Sequence, residues 1–524
     1  MQKRFNITGV CIPGKHYMVN TSDKISAIKA MIEQGDYFVI NRPRQYGKTT
    51  TLFLLEQELK KDSRYLVIAT SFEGIDEPTR ADQKLFIPVF LNLLKKSLAF
   101  NREKELIDFI NSQAPIQNFN SLSSLITDLV EKSGRRVVFF IDEVDKASNN
   151  RLFLDFLGML RTKYLDCSQG KDHTFHSVIL AGVHDVKTLK SQIRPDEEKK
   201  FNSPWNIAAD FEVDISFSSV DIRSMLNDYV SQRQVCMDIP LMAEKLFYFT
   251  SGYPFLVSQL CKILDEKIMP AKGNKEWQAE DLEKAVQITL KKDNTNFESL
   301  IKNLENNAEL YDFVFKSIFG DTGFIYNTDN PVIKLGVLYG ILKEENGRTK
   351  VHNRLYEQRI YNYMASRVET STANIVNSVT GSYLDETGKL DVKKILSKFQ
   401  VFIKEQYGEK DRAFIERNGR LLFLAFLRPI INSRGFDFKE VQVSEERRLD
   451  IVVTFDNIKY IIELKLWRGE VYHQEGIRQL CGYLDSQFQN AGYLLIYDLR
   501  KESGQTGKTE IIEIDGKKIF AVWV

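Results

Sequence analysis

A short apolar run from Tyr37 to Ile40 leads into Asn41-Arg42-Pro43-Arg44-Gln45-Tyr46-Gly47-Lys48-Thr49-Thr50, and leucines at helical spacing then continue to Leu59. Strand, loop, helix is the context in which Gly-Lys-Thr becomes a phosphate-binding loop. Gly47 lets backbone N–H groups approach the phosphates, and the helix N-terminus adds its dipole. Lys48 reaches the β and γ phosphates, and Thr49 offers a hydroxyl to magnesium. The general motif opens on a glycine, and here Arg42 stands in that place. The second half of the constellation is Val137-Val138-Phe139-Phe140-Ile141-Asp142-Glu143, a buried strand ending in adjacent carboxylates. Asp142 is the expected magnesium ligand, and Glu143 the group that polarises the attacking water. The rival reading, an acidic cap after a core strand, requires both elements to arise by accident in the right order.

Further apolar strands at Tyr65 to Ala69, Arg136 to Ile141 and Ser177 to Ala181 alternate with helical segments, the pattern of a parallel sheet covered on both faces. From Ser219 to Leu290 amphipathic helices take over, interrupted by Gly252-Tyr253-Pro254, which predicts a helical lid. Residues 307–367 show helix, turn, a helix over Val332 to Leu342, a turn at Glu344 to Arg348 and a strand at Lys350 to His352. That is a winged-helix order, but the second helix is largely apolar, which suits packing better than a DNA groove. Glu369 to Gly381 is rich in Thr, Ser and Asn and reads as a linker.

A chain of 524 residues divides into about three or four units at the usual domain size. With 43% hydrophobic and 27% charged residues it belongs to the ordinary globular class. Lys and Arg total 72 against 71 Asp and Glu, so nucleic-acid contact requires a local patch rather than a global field. The five cysteines, Cys11, Cys167, Cys236, Cys261 and Cys481, never form CxxC, which argues against a disulfide framework or thiolate zinc. No apolar leader opens the chain and no run of about 18 apolar residues follows, so the expectation is a cytoplasmic protein without a membrane span.

Arg-Pro-Arg-x-Tyr-Gly-Lys-Thr, with arginine in place of the first glycine, resembles the AAA-like ATPases that occur in prokaryotes beside nuclease domains. These are similar to the STAND signalling ATPases, in which a Gly-x-Pro after the core contacts the nucleotide base. The resemblance assigns that part to Gly252 and Pro254, whereas the residues alone also fit a helix-breaking turn. It likewise makes His184, after the strand Ser177 to Ala181, a γ-phosphate sensor, with a loop histidine as the plain alternative. Arg194 is a weaker candidate for an arginine finger, since most lone loop arginines are solvated. The loop residues Arg42, Arg44, Gly47, Lys48, Thr49 and Thr50, with Asp142, complete the expected nucleotide site.

In the C-terminal part, Arg448 to Thr454 and Lys459 to Lys465 flank a Phe455-Asp456-Asn457 turn and read as a hairpin. A hairpin centred between Asp456 and Asn457 sets Asp450 opposite Glu463, with Cβ atoms about 5 Å apart. Lys465 lies on the same face as Glu463 because strand side chains alternate. Two facing carboxylates beside a lysine suit magnesium or manganese and attack on a phosphodiester. This Asp…Glu-x-Lys arrangement resembles the PD-(D/E)xK nuclease superfamily. Gln479 and Tyr483, on a helix from Gln474 to Ser486, are similar to the QxxxY helix of some nuclease branches. Glu416 and Glu440 are candidates for an extra acid. The bland reading is a surface ladder of Asp450, Glu463 and Lys465; against it, these charges interrupt nearly continuous apolar strands.

The expected architecture is α/β: a P-loop ATPase core over 1–218, a helical lid over 219–300, a winged-helix-like unit over 301–368, a linker over 369–389 and a PD-(D/E)xK nuclease-like domain over 390–524. The expected function is an ATP-binding and ATP-hydrolysing switch with a metal-dependent nuclease-like domain, and the resemblance implies a prokaryotic, anti-phage or mobile-element context. The alternative is an ATP-dependent signalling or scaffold switch whose C-terminal fold binds nucleic acid or a partner without cutting. Expected cofactors are ATP and magnesium, with manganese acceptable at the nuclease site. Expected partners are nucleic acid, DNA before RNA; a homo-oligomer is compatible with the reading, and a membrane is not expected.

Overall fold

The structure is a computed structural model and describes residues 2–144, 151–183, 205–319, 324–370, 383–406, 451–455, 458–486, 489–500 and 507–524, with isolated helical positions between 415 and 430. The chain forms two compact units: Met1–Asn306 with Tyr326–Gln358, and Asn307–Ile325 with Arg359–Val524. No helix among the described residues is long and apolar enough to cross a membrane.

The first unit is built on four parallel strands, β1 (Phe38–Asn41), β2 (Tyr65–Ser71), β3 (Arg136–Asp142) and β4 (Ser177–Gly182), in the order β1-β4-β3-β2. A parallel bridge from Ala209 to Phe38 lies beyond β1. All of β4, and all of β3 after Arg136, is buried, as a parallel sheet covered on both faces requires. Helices α1 (Ser22–Glu33), α2 (Lys48–Leu59), α3 (Glu77–Ala81), α4 (Gln83–Phe100), α5 (Lys104–Ser112), α6 (Phe119–Ser133) and α7 (Arg151–Ser168) surround it. Phe90, Phe139, Phe156, Leu160 and Trp205 are among the core residues on one side. This is an α/β fold on a parallel sheet.

A capping box between Ser218 and Asp221 starts α8 (Ser219–Arg233), the first lid helix. It is followed by α9 (Ile239–Thr250), α10 (Pro254–Ile263), a π turn over Leu264–Ile268, α11 (Ala279–Lys291) and α12 (Thr295–Glu305). The same unit contains α14 (Pro331–Leu338) and a hairpin of β5 (Leu342–Glu345) and β6 (Arg348–Val351). The helix expected over Val332 to Leu342 is therefore shorter. It is capped by Asn330 and ends before Gly340, whose φ of +68° a helix does not accommodate, and Leu342 already belongs to β5.

The second unit includes α13 (Ala308–Phe319), most of α15 (Arg354–Thr370), α16 (Val392–Gln406) and a five-stranded sheet. Its strands are β7 (Ile451–Phe455), β8 (Ile458–Leu466), β9 (Ala491–Tyr497), β10 (Thr509–Ile514) and β11 (Lys517–Trp523), in the order β10-β11-β9-β8-β7. β8, β9 and β11 run parallel, while β7 and β10 are antiparallel edges. Helix α17 (Glu470–Ser486) connects β8 to β9 and packs Ile477, Leu480 and Leu484 with Ile461, Leu494, Ile496 and Ile519. Period-two alternation sends Tyr497 to the other face, where its ring is 6.5 Å from Phe399 of α16.

Candidate nucleotide site and a second charged cluster

Because β4 lies between β1 and β3, the carboxyl ends of the three strands converge, the position where open α/β sheets take ligands. The loop from β1 to α2 ends on Gly47, whose φ of +90° demands glycine at the helix N-cap. Gly47 has no side chain with which to cap that helix. Lys48 is buried, and its Nζ donates to the carbonyls of Arg42 at 2.8 Å and Pro43 at 2.9 Å. The Thr49 hydroxyl donates to Asp142 Oδ2 at 2.7 Å, which ties the loop to the end of β3. Glu143 adopts a left-handed φ of 55°, and its N–H donates to Asp142 Oδ1 at 2.9 Å.

A cavity of about 1030 Å³ lies here, lined by Arg44, Gln45, Gly47, Lys48, Thr49, Thr50, Asp142, Glu143 and Pro254 among others. Two predicted residues stand elsewhere. Arg42 does not line the cavity: its guanidinium donates to Val213 O at 3.0 Å and lies 5.3 Å from the Phe211 ring, and burial pushes its pKa down. Gly252 faces backbone instead, since a Cβ there would come within 1.9 Å of Phe217 O. The Thr50 hydroxyl lines the cavity but accepts the N–H of Cys11 at 3.1 Å. His184 and Arg194 lie outside the described residues.

Sequence reasoning missed the walls of this cavity. The segment Asn6 to Cys11 lines it, as do Gln259 of α10 and Lys292 to Thr295, where Gln45 Nε2 donates to Thr295 Oγ1 at 3.0 Å. It also missed a brace on the loop itself. A Cβ on Gly340 would stand 2.5 Å from Pro43 Cγ, so that glycine packs directly on the loop. The Tyr253 hydroxyl donates to Arg44 O, and the Tyr46 ring meets Tyr253 edge-on at 4.7 Å. The Tyr46 hydroxyl is 3.4 Å from His352 Nε2. Burial, reinforced by Lys343, pushes the His352 pKa down to about 4, so the ring is neutral near pH 7. These contacts span up to 306 positions of sequence, which no local motif encodes.

In the second unit, β7 and β8 pair Ile451 with Ile462 and Val453 with Tyr460, the register of a hairpin centred between Asp456 and Asn457. Asp450, Glu416 and Glu440 lie outside the described residues. Glu463 is buried, and Lys465 Nζ stands 3.0 Å from its Oε1 while donating to Gln479 Oε1 at 3.1 Å. Gly476 leaves room for this lysine, whose Cε is 3.3 Å from where a Cβ would be. Burial pushes the Tyr483 pKa up, and the nearby Glu463 carboxylate adds to it. The structure thus brings together Glu463, Lys465, Gln479 and Tyr483. Among the described residues, no group of three or more His, Cys, Asp or Glu could hold a metal ion.

Residues 10–362 match the AAA-like domain family. No protein of curated function matches the chain. The chain is similar in structure to a Walker-type ATPase of Pyrococcus abyssi, with a TM-score of 0.47 and 11% identity over 68% of this chain and 99% of that one. It is also similar to the ORC2 protein of Aeropyrum pernix in its ADPNP and ADP complexes, with a TM-score of 0.37 and 12% identity over 69% of this chain and 98% of that one. A RuvB mutant of Thermotoga maritima gives a TM-score of 0.33 and 15% identity over 65% of this chain and 94% of that one.

Proposed function

The chain belongs to the AAA-like domain family, and from that premise we propose that it is an ATP-binding and ATP-hydrolysing switch whose nucleotide occupies the cavity at the carboxyl ends of β1, β3 and β4. The observation that carries the reading is the Thr49 hydroxyl 2.7 Å from Asp142, two hard oxygen donors side by side at the phosphate loop. That donor set fits magnesium, which Thr49 and Asp142 would hold. When bound, the ion neutralises phosphate charge. Lys48 exchanges the carbonyls of Arg42 and Pro43 for phosphate oxygens, the start of α2, behind a glycine N-cap, faces those oxygens, and Glu143 orients and deprotonates the attacking water. Calorimetric titration tests it: Lys48→Ala loses most ATP affinity, whereas Glu143→Gln keeps it and hydrolyses ATP about 10²- to 10⁴-fold more slowly. Unchanged affinity in Lys48→Ala would overturn the assignment.

The charged cluster of the second unit supports a further reading, a nuclease-like domain that acts on nucleic acid. Its support is a buried carboxylate, Glu463, on a largely apolar strand with an ammonium and an amide in line beside it. Among the described residues no group of three or more His, Cys, Asp or Glu could hold a metal, and Glu463 Oε1 is already paired with Lys465, so no metal-dependent step is derived. The test is magnesium-dependent cleavage by the purified chain. Asp450→Ala and Glu463→Ala eliminate it, and Lys465→Ala lowers the rate more than the metal affinity. Absence of cleavage on any nucleic acid favours the rival, a switch whose C-terminal fold binds without cutting.

A further inference from the structure

Glu463, Lys465 and Trp467 follow one another at a spacing of two, so they share one face of the β8 line, with roughly 6.6 Å between neighbours. Helix α17 lies over that face in the opposite sense, with Gln479 near Lys465 and His473 5.2 Å from the Trp467 ring. Beyond the charged cluster the track therefore ends on an aromatic residue. Trp467 sits where the parallel strands end: its backbone N–H donates to Tyr497 O, and Trp523 pairs with Ile496 alongside.

The Arg500 guanidinium lies 5.2 Å from the Trp467 ring. It is fixed there by two hydrogen bonds to Asp498, from Nε at 2.9 Å and from Nη2 at 2.7 Å. The Asp498 side chain is fully buried, whereas half of Arg500 is exposed. A guanidinium locked along one edge over an indole is a flat, pre-ordered cationic surface, costing little entropy to engage. Across the β8 to α17 turn, Arg468 lies 5.8 Å over Tyr472, and both are exposed.

We infer that the Arg500–Trp467 pair is a platform for an unpaired nucleobase, so that the nucleic acid engaged by this unit is single-stranded. The inference rests on the reading of this unit as one that contacts nucleic acid. Guanidinium planes and aromatic faces take unstacked bases, and the same cations meet the backbone phosphates. Bases inside a duplex are already stacked on one another and present only their edges, so a stacking surface discriminates against paired strands.

The experiment titrates the full chain, without divalent metal, against a fluorescein-labelled oligothymidylate and a blunt duplex of equal length. The single strand binds about tenfold or more tightly than the duplex, and binding quenches tryptophan fluorescence. Arg500→Lys keeps the charge and loses the plane, and it weakens single-strand binding by about tenfold while duplex binding stays unchanged, with circular dichroism confirming that the variant is folded at the assay temperature. Equal affinity for the two substrates, or wild-type binding by Arg500→Lys, would overturn the platform. Magnesium then separates the two readings. Strand-selective binding without cleavage removes the nuclease and keeps the platform; cleavage of duplex and single strand alike, unaffected by Arg500→Lys, keeps the nuclease and removes the platform.

Discussion

Glu143 and Gln45, both lining the nucleotide cavity, are non-glycine residues in left-handed backbone conformation, a state costing on the order of 1–3 kcal/mol each. Their strain is offset by the hydrogen bonds that hold them, Glu143 N–H to Asp142 and Gln45 Nε2 to Thr295. His352, which braces Tyr46, gives the residue scale a pH signature. Its pKa falls from 6.5 to about 4 on folding, so the unfolded chain binds the extra proton between those values. The contribution is fully present above pH 6.5 and is lost as pH falls towards 4, for a total of about 3 kcal/mol. His352→Gln should flatten the acid limb of the urea-unfolding free energy within this window. An unchanged slope would mean that the imidazole is as easily protonated folded as unfolded.

At the scale of elements, Gly252 fixes how the lid meets the core. Its φ of +71° and the 1.9 Å approach to Phe217 O leave no room for a side chain at the α9 to α10 turn, where Phe217 N–H donates to Gly252 O at 2.8 Å. Gly252→Ala is expected to destabilise the first unit by about 2–4 kcal/mol, combining overpacking with the left-handed penalty. Gly47→Ala meets only Pro254 at 3.9 Å, so it should cost about 1 kcal/mol of stability while impairing ATP binding. Paired thermal melts of the two variants check the contrast. What could be read from sequence follows the range of the forces. The β1–loop–α2 unit, the Asp142 strand end and the β7–β8 register are local patterns of period and turn, and α2 ends at Leu59, where the leucines at helical spacing stop. The Asn6 to Cys11 wall, the Gly340 contact with Pro43 and the diversion of Arg42 to Val213 depend on which distant segments pack together. Periodicity carries no such information.

For the whole molecule, the chain's path matters more than any single contact. The segment Tyr326–Gln358 belongs to the first unit, but the residues on both sides of it, Asn307–Ile325 and from Arg359 onward, belong to the second. Inside the first unit this segment bears on the phosphate loop through Gly340 at Pro43 and His352 at Tyr46. On the proposed function, a nucleotide drawing Lys48 away from the carbonyls of Arg42 and Pro43 would alter the surface on which the segment rests, and the segment is covalently continuous with the second unit at both ends. Coupling then requires ATP to bind one arrangement of loop and segment better than another, and the difference in affinity sets the largest shift. A coupling of about 1–3 kcal/mol changes the competent population roughly 5- to 150-fold. On the proposed function, Lys48→Ala would imitate the empty state and Glu143→Gln would hold the ATP-bound one. At matched protein concentration and with ATP present, the two variants should therefore move single-strand binding by the second unit in opposite directions from wild type. Gly340→Ala, which forces the segment off Pro43, should bring the two closer together. If both variants bind the strand with wild-type affinity, the units act independently and the chain is not a switch.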